Sequence, residues 1–411
     1  MFTRAKPGWG ARRRAFLTRC LGAGVAALLP LKLDGQLFTN FHPGQKMHAS
    51  GGSVPPTQVS LADYGGKPGA APPVLIAAFQ KALAALSDAG GGTLLVPAGT
   101  YDFGNYDEAA TIILCRDLHD IVISAYGALF TATTTATVMP SLFYFFNFNN
   151  VTIAGASFFD SGFNPRINWQ GLYCVGIQAD KPSSGFFMVD CYAAHVLGVL
   201  DSNNNAAGGD YMSNIHVQGE VRHAYYGVGA SHVREKVYVD LDCYNVRRAF
   251  IAYAVKNAEI TVRTSNTSSW PGSNGLIALV CAGAHDGNVE NVRVKVDVSG
   301  ECIHSSYVHF YQQGPEKQGA MHDIDATVNA IDVRDLRCLF MFDHESNGIR
   351  PSTSRSWDRI WLHGSVTGTA GGSVILNPSV STSPGIVYVD RNLTHLPGMD
   401  ALPGSLRIRS I

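Results

Sequence analysis

Asn149-Asn150-Val151-Thr152-Ile153-Ala154-Gly155 sets the pattern from which the fold is read. Two turn-favouring residues lead into an apolar–polar–apolar triplet, and a small residue and a glycine close it. Alternation over so short a run describes a strand with one buried face. The same triplet returns at Ile121-Val122-Ile123, Ile215-His216-Val217, Val237-Tyr238-Val239, Ile260-Thr261-Val262, Val292-Arg293-Val294, Ile324-Asp325-Ala326 and Ile360-Trp361-Leu362. Phe186-Phe187-Met188 fills the one long gap between them. A second apolar run usually follows, as at Ser157-Phe158-Phe159, Phe250-Ile251-Ala252-Tyr253 and Leu339-Phe340-Met341-Phe342.

Successive triplets begin 22 to 36 residues apart. Two or three short strands in each period of that length suggest a solenoid, in which every coil pairs its backbone with the next. A β-sandwich or barrel is the competing architecture, but those folds favour turn signals every ~8–12 residues and need no helix at their start. Here a helix does lead. Pro72-Pro73 opens it, Leu75, Phe79, Leu83 and Leu86 recur at helical spacing, and Gly90-Gly91-Gly92 stops the run. The expectation is an all-β fold: a single-stranded, right-handed parallel β-helix whose first coil is capped by that α-helix. An uncovered coil edge would template aggregation.

Three stretches resemble the opening of the pectate-lyase-like superfamily of parallel β-helix proteins, which includes polygalacturonases, rhamnogalacturonases and glycan depolymerases. They are Val59-Ser60-Leu61-Ala62-Asp63-Tyr64-Gly65, the helix from Pro73 to Ala89, and Gly91-Gly92-Thr93-Leu94-Leu95-Val96-Pro97-Ala98-Gly99-Thr100-Tyr101. The phrase from Asn149 to Gly155 is similar to the family's recurring coil opening. One departure is Ala70-Ala71-Pro72-Pro73 where the family often carries an Asp-Asp-Thr-like cap, a place that Pro can also fill. The resemblance implies an extended groove along the outside of the coils, suited to a polysaccharide chain. The polygalacturonase signatures Asn-Thr-Asp, Asp-Asp, Gly-His-Gly and Arg-Ile-Lys are missing, and those of pectate lyases are not evident, so no catalytic residue is carried over.

The amino terminus reads as an address. Arg13-Arg14-Ala15-Phe16-Leu17 resembles the twin-arginine export motif, and the apolar stretch Cys20 to Leu31 is too short for a membrane span. Residues 1–49 are therefore expected to be an export leader handled by the twin-arginine machinery, and residues 50–411 one β-helix domain, periplasmic or extracellular, with no membrane span in the mature protein. An ordinary secretory signal is the alternative. Seven basic residues and no acid precede Asp34, so 24 basic residues face 32 acidic ones over the rest of the chain, a balance of −8. An acidic body argues against a nucleic-acid partner held by phosphate contacts. Seven cysteines follow Cys20 without any C-x-x-C spacing, mostly inside apolar runs, where cysteine packs as a small hydrophobe. No paired histidine spacing such as H-x-x-x-H suggests a metal site.

Glycoside hydrolysis needs two carboxyl groups flanking one bond. The densest polar cluster is Asp343-His344-Glu345-Ser346-Asn347-Gly348-Ile349-Arg350, which makes Asp343 and Glu345 the leading acid/base candidates, with Asp286 or Asp201 as partners. A solvated turn is the plain alternative for that cluster, and for the Asn- and Gly-rich segments around Asp201 and Asp286. His344, Arg350, Tyr311, Gln312, His309 and Trp270 are the candidate sugar contacts, and Trp169 is a second loop tryptophan able to stack on a pyranose. A polysaccharide lyase is the second enzyme reading. It would need a base, with Ca²⁺ or Arg beside a uronate carboxyl, and Arg247, Arg248 and Lys256, with His223 and His232 one coil earlier, are available. No cofactor is expected for a hydrolase. Surface charges are the simpler account of those cations, and the acidic balance disfavours a polyanionic substrate. A non-catalytic glycan-binding or envelope protein is the third reading, and a homotrimer is an assembly open to coils of this kind.

Overall fold

The triplets of the sequence become rungs of a ladder. Ile121 pairs with Val151, Val151 with Phe186, and Phe186 with Ile215, each in parallel register, so residues 22–36 apart in sequence lie side by side. Further along, Val292, Ile324 and Ile360 continue in the same way to Val387 and Ile408 register positions on the last strands. Ile260-Thr261-Val262 is shifted: it lies opposite Val294-Lys295-Val296, two residues beyond the triplet at Val292. A shift of two keeps every side chain on its own face, so the core is undisturbed.

The computed structural model describes residues 57–167, 169–202, 211–265, 276–282, 288–300, 305–312, 320–334, 336–344, 357–368, 372–376, 386–393 and 407–411. Strand pairs among them are parallel from Gln58–Ser60, which lies against Gly92–Leu95, to Arg407–Ser410, which lies against Ile386–Val389. The architecture is a parallel β-solenoid. Its interior is a continuous apolar pile: Phe130 meets Phe143 and Phe158 at 5.6 Å between ring centres, and Phe145 meets Phe186 at 5.1 Å. Cys115, Cys174, Cys191, Cys243 and Cys338 are buried in these coils, and burial raises the thiols of Cys115, Cys174 and Cys243.

Helix α1, Pro72–Asp88, begins without a side-chain cap, its first turn being formed by the two prolines. Its buried stripe is Leu75, Ala78, Phe79, Ala82, Leu83 and Leu86. Phe79 reaches the aromatic pile of the first coils, 5.4 Å from Phe143 and 5.9 Å from Phe130. The polar residues before the triplets also have a structural job. Asp120, Asn150, Asn257 and Asn291 all adopt left-handed backbone angles of 53–55°, which Asn and Asp tolerate best among residues with a Cβ. The Asn150 Nδ2 donates to Asp120 Oδ1 at 2.7 Å, tying one turn to the next. Among the described residues, no helix is long and apolar enough to cross a membrane.

Candidate active site

One side of the solenoid is built from short strands stacked in the order Ser141–Ala154, Tyr173–Gln178, Gly198–Ser202 and then the long run Met212–Ser265. Their register brings Tyr144, Gly176, Asp201 and Gly229 into one column, and Ser141, Tyr173 and Gly198 into another. The two columns alternate bulk with absence. A Cβ on Gly176 would sit 2.5 Å from the Tyr144 ring, one on Gly198 2.5 Å from the Tyr173 ring, and one on Gly229 3.1 Å from Asp201 Oδ1. Each glycine therefore provides the floor on which the preceding coil lays a ring or a carboxyl.

These columns border a cavity of about 450 Å³. Tyr144, Trp169, Tyr173, Tyr226 and Tyr253 form its walls, and among the described residues Asp201 is the one carboxyl group that lines it. Its size and its aromatic, sparsely charged lining fall within the range of small-molecule sites. Asp201 is largely buried, and burial raises its carboxyl from 3.8 to about 6. The neighbouring phenols are raised as well: Tyr173 and Tyr144 first by burial and then by the Asp201 charge, Tyr226 chiefly by burial. Near neutrality the site thus holds neutral tyrosines and a carboxyl group poised to carry a proton. Ser202 fixes the strand just beyond Asp201, its Oγ accepting from Ser231 N at 2.5 Å and donating to Ser231 O at 3.3 Å.

Trp169 comes from the connection between strands Ser157–Asp160 and Tyr173–Gln178, and is 47% exposed. Its ring lies 6.0 Å from Tyr225 and 5.7 Å from Tyr226. With φ at +61° it holds a backbone conformation that is costly for a bulky residue and persists only where its surroundings enforce it. Two anchors do so. Buried Gln170 donates to Thr134 O and Gly162 O at 3.3 and 3.2 Å. Fully buried Asp160 accepts from Thr134 N, Thr134 Oγ1, Gly162 N and Leu172 N, all within 3.0 Å.

The sequence candidates separate into groups. Asp201 lines the cavity. Tyr311 lies in register with Asp343 and Gln312 with His344, and Tyr253 of the cavity wall leads to that column through Cys281. Three coil spacings separate Tyr253 from Asp343, roughly 14 Å. Asp201 sits on a coil before that of Tyr253, so Asp201 and Asp343 are too far apart to flank one glycosidic bond. His309 is 5% exposed, with Tyr307, Val308 and Phe310 buried beside it, and so presents no open face to a sugar. Glu345, Asp286, Arg350 and Trp270 lie outside the described residues. Among the described residues, no three side chains of His, Cys, Asp or Glu converge as a metal site.

Tyr144, Tyr173, Tyr226 and Tyr253 had no mark in the sequence. Each sits in an ordinary apolar run, and only the pairing of coils of unequal length brings them together.

No family model matches the chain, and no curated protein matches it. Solved structures similar in fold include a mannuronan C-5 epimerase A-module from Azotobacter vinelandii, 12% identical over 85% of this chain and 99% of the other, with a TM-score of 0.34. A tailspike protein mutant of the E. coli bacteriophage HK620, in complex with a pentasaccharide, is 14% identical over 81% of this chain and 65% of its own, at 0.43. An exopolygalacturonase from Thermotoga maritima is 10% identical over 82% and 88%, at 0.36. Likenesses of this degree carry no residue assignments, and the solenoid stands on its own ladder of parallel pairs.

Proposed function

We propose that this protein is an exported carbohydrate-active enzyme that cleaves a polysaccharide, and that it does so as a glycoside hydrolase. The observation that carries the proposal is Asp201: a carboxyl group raised to about 6 by burial, facing a cavity walled by five aromatic rings. Rings present flat apolar faces that suit the faces of a pyranose, while a carboxyl that keeps its proton up to about pH 6 can give it to a glycosidic oxygen. In this reading Asp201 is the general acid and Trp169 stacks on the sugar at the cavity mouth. The hydrolytic partner must be a second carboxylate about 5–9.5 Å away, hence within one or two coils. Asp343 and Glu345, with Asp286, are the separate candidate set, with Tyr311, Gln312, His344 and Arg350 as its sugar contacts.

Elimination is the second reading, and Arg247 and Arg248 favour it, because they stand beside the cavity and a lyase needs cations near a uronate carboxyl. The deciding experiment incubates the mature protein with neutral and uronate polysaccharides. New reducing ends without the ultraviolet absorbance of an unsaturated uronate mean hydrolysis, and that absorbance means elimination. Binding without any product supports the non-catalytic reading instead. Asp201→Asn and the pair Asp343→Asn/Glu345→Gln, assayed separately, tell which set of carboxyls works. Export is tested by Arg13→Lys/Arg14→Lys, which should leave unprocessed precursor in the cytoplasm if the twin-arginine route is used.

A further inference from the structure

His195 and His223 occupy the same corner of two successive coils. Ala194 pairs with Arg222, which brings the two histidines side by side, and their rings stack with centres 4.9 Å and planes 25° apart. Both hold left-handed backbone angles, φ 53° and 48°, and Asn245 continues the corner one coil on at 54°. The Asn245 Nδ2 donates to His223 Nδ1 at 2.9 Å, a bond that needs that ring nitrogen unprotonated. Around the stack stand the Phe159 ring, 5.3 Å from His195, and the Tyr244 ring, edge-on to His223 at 5.4 Å.

The charges around this pair differ from those around other histidines of the solenoid. His119 lies 3.4 Å from Asp120, His322 2.8 Å from Asp323, and His363 3.7 Å from Asp325. Among the described residues, no carboxylate makes an ion pair with His195 or His223. The acids on the elements packed here are engaged elsewhere. Glu220 is held by Arg222, Asp160 accepts from four donors, and Asp190 accepts from Tyr126 Oη at 2.8 Å. A proton on each imidazole would therefore set two positive charges face to face, beside a third on Arg222. Burial first, and then the His195 and Arg222 charges, lower the His223 imidazole below its ordinary value.

The corner is joined to the cavity from both coils. Asp160 N donates to His195 O at 3.3 Å, and the Asp160 side chain anchors the connection that carries Trp169. Just after His195 come Leu197 and Gly198, the floor beneath Tyr173, and Tyr226 N donates to Leu197 O at 2.7 Å. We propose that the His195–His223 stack is a pH-sensitive latch: neutral, it holds this corner closed, and acidification charges it, parts the rings and loosens the wall formed by Trp169 and Tyr226. This goes beyond the carbohydrate reading and stands without it. The folded protein resists a proton that the unfolded chain accepts, so the stabilisation is complete above about pH 6.5 and is lost as pH falls. Protonation of His223 Nδ1 also takes away the acceptor of the Asn245 amide.

Hydrogen exchange of the full chain at about pH 7.5 and about pH 5, corrected for the intrinsic pH dependence of exchange, tests the latch. The expected result is about tenfold or more faster exchange at the lower pH in residues 161–172 and 223–230. Gly92–Leu95, at the capped end, should not change. In His195→Asn/His223→Asn, which places at the corner the residue that Asn245 already supplies there, the difference should vanish. A difference that persists in the double variant would overturn the latch, as would equal protection at both pH values in the unaltered protein. Should the double variant fold poorly, the ring protons of the unaltered protein, followed by nuclear magnetic resonance, decide the matter. The pair should take up its protons in two separate steps, the second below the ordinary histidine range, and His195→Asn should return the remaining ring toward that range. Titration of both rings together at the ordinary value would overturn the latch equally.

Discussion

At the residue scale the proposed chemistry rests on Asp201. Its carboxyl is raised from 3.8 to about 6 because it is buried, so the folded protein holds that proton more tightly than the unfolded chain does. Below about pH 4 both states are protonated and the site contributes its full stability. Between about 4 and 6 the unfolded chain releases the proton while the folded one keeps it, so stability falls as pH rises and levels off above 6. Asp201→Asn should therefore raise the melting temperature at pH 7–8 and leave it nearly unchanged at pH 4, a gain on the order of 2–3 kcal/mol at the upper pH. With Asp201 as the proposed general acid, the same variant should lose about 10²–10⁴-fold in cleavage rate, and the rate of the unaltered protein should fall as pH rises through 6. Thermal scans at two pH values and a pH–rate profile check this, and a variant no more stable at pH 8 would show that burial is not what raises the group. Asp201 could be picked from the sequence as an acid in a Leu-Asp-Ser context, yet its burial could not. That depends on Gly229 lying opposite it and on aromatic residues of other coils, none of which neighbours it in the chain.

Elements are where sequence and structure agree best and where the site escaped notice. The triplets at Ile121, Val151, Phe186 and Ile215 are legible because alternation is local, and their register follows from it. The helix Pro72–Asp88 is legible because its apolar spacing and its proline and glycine ends are local too. The glycine columns are not, because coils of 22 to 36 residues pair positions that no fixed period predicts. They make two predictions about strands and loops. Gly176→Ala places a Cβ 2.5 Å from the Tyr144 ring, which must leave its 2.5 Å bond to Gln178 Oε1. A cost of about 1–3 kcal/mol follows, with weakened substrate binding. Adding Tyr144→Ala should recover part of that cost, so the two changes are non-additive in a denaturation cycle. Strict additivity would mean that the two side chains do not share this space. Asp160→Asn replaces an acceptor of four donors by an amide that must turn one N–H toward them. It should loosen the connection carrying Trp169 and raise KM more than it lowers kcat, since Asp160 only positions the stacking ring. A fall in kcat alone, at unchanged KM, would contradict that role.

For the whole molecule the governing fact is that a solenoid is nearly one-dimensional: each coil touches only its neighbours, so stability is a sum of local terms rather than the property of one core. A local cost in one coil is therefore tolerated, provided the coils on either side are well filled. It also means that damage should stay local. Phe79 is fully buried where helix α1 meets Phe103, Phe130 and Phe143. Phe79→Ala removes the helix's largest contact with the coils, at a cost of about 3–5 kcal/mol. In a globular domain that cost would lower protection throughout. Here hydrogen exchange followed by mass spectrometry should show faster exchange in Gly92–Leu95, Gly99–Tyr106 and Thr111–Ser124, the strands nearest the helix. Met321–Ile331 and Trp357–Thr367, many coils away, should exchange as in the unaltered protein, and cleavage at the Asp201 cavity should survive at moderate temperature. Uniform loss of protection along the chain would mean that the coils unfold as a single cooperative unit, with the helix as a keystone for the active face as well as for the end it covers.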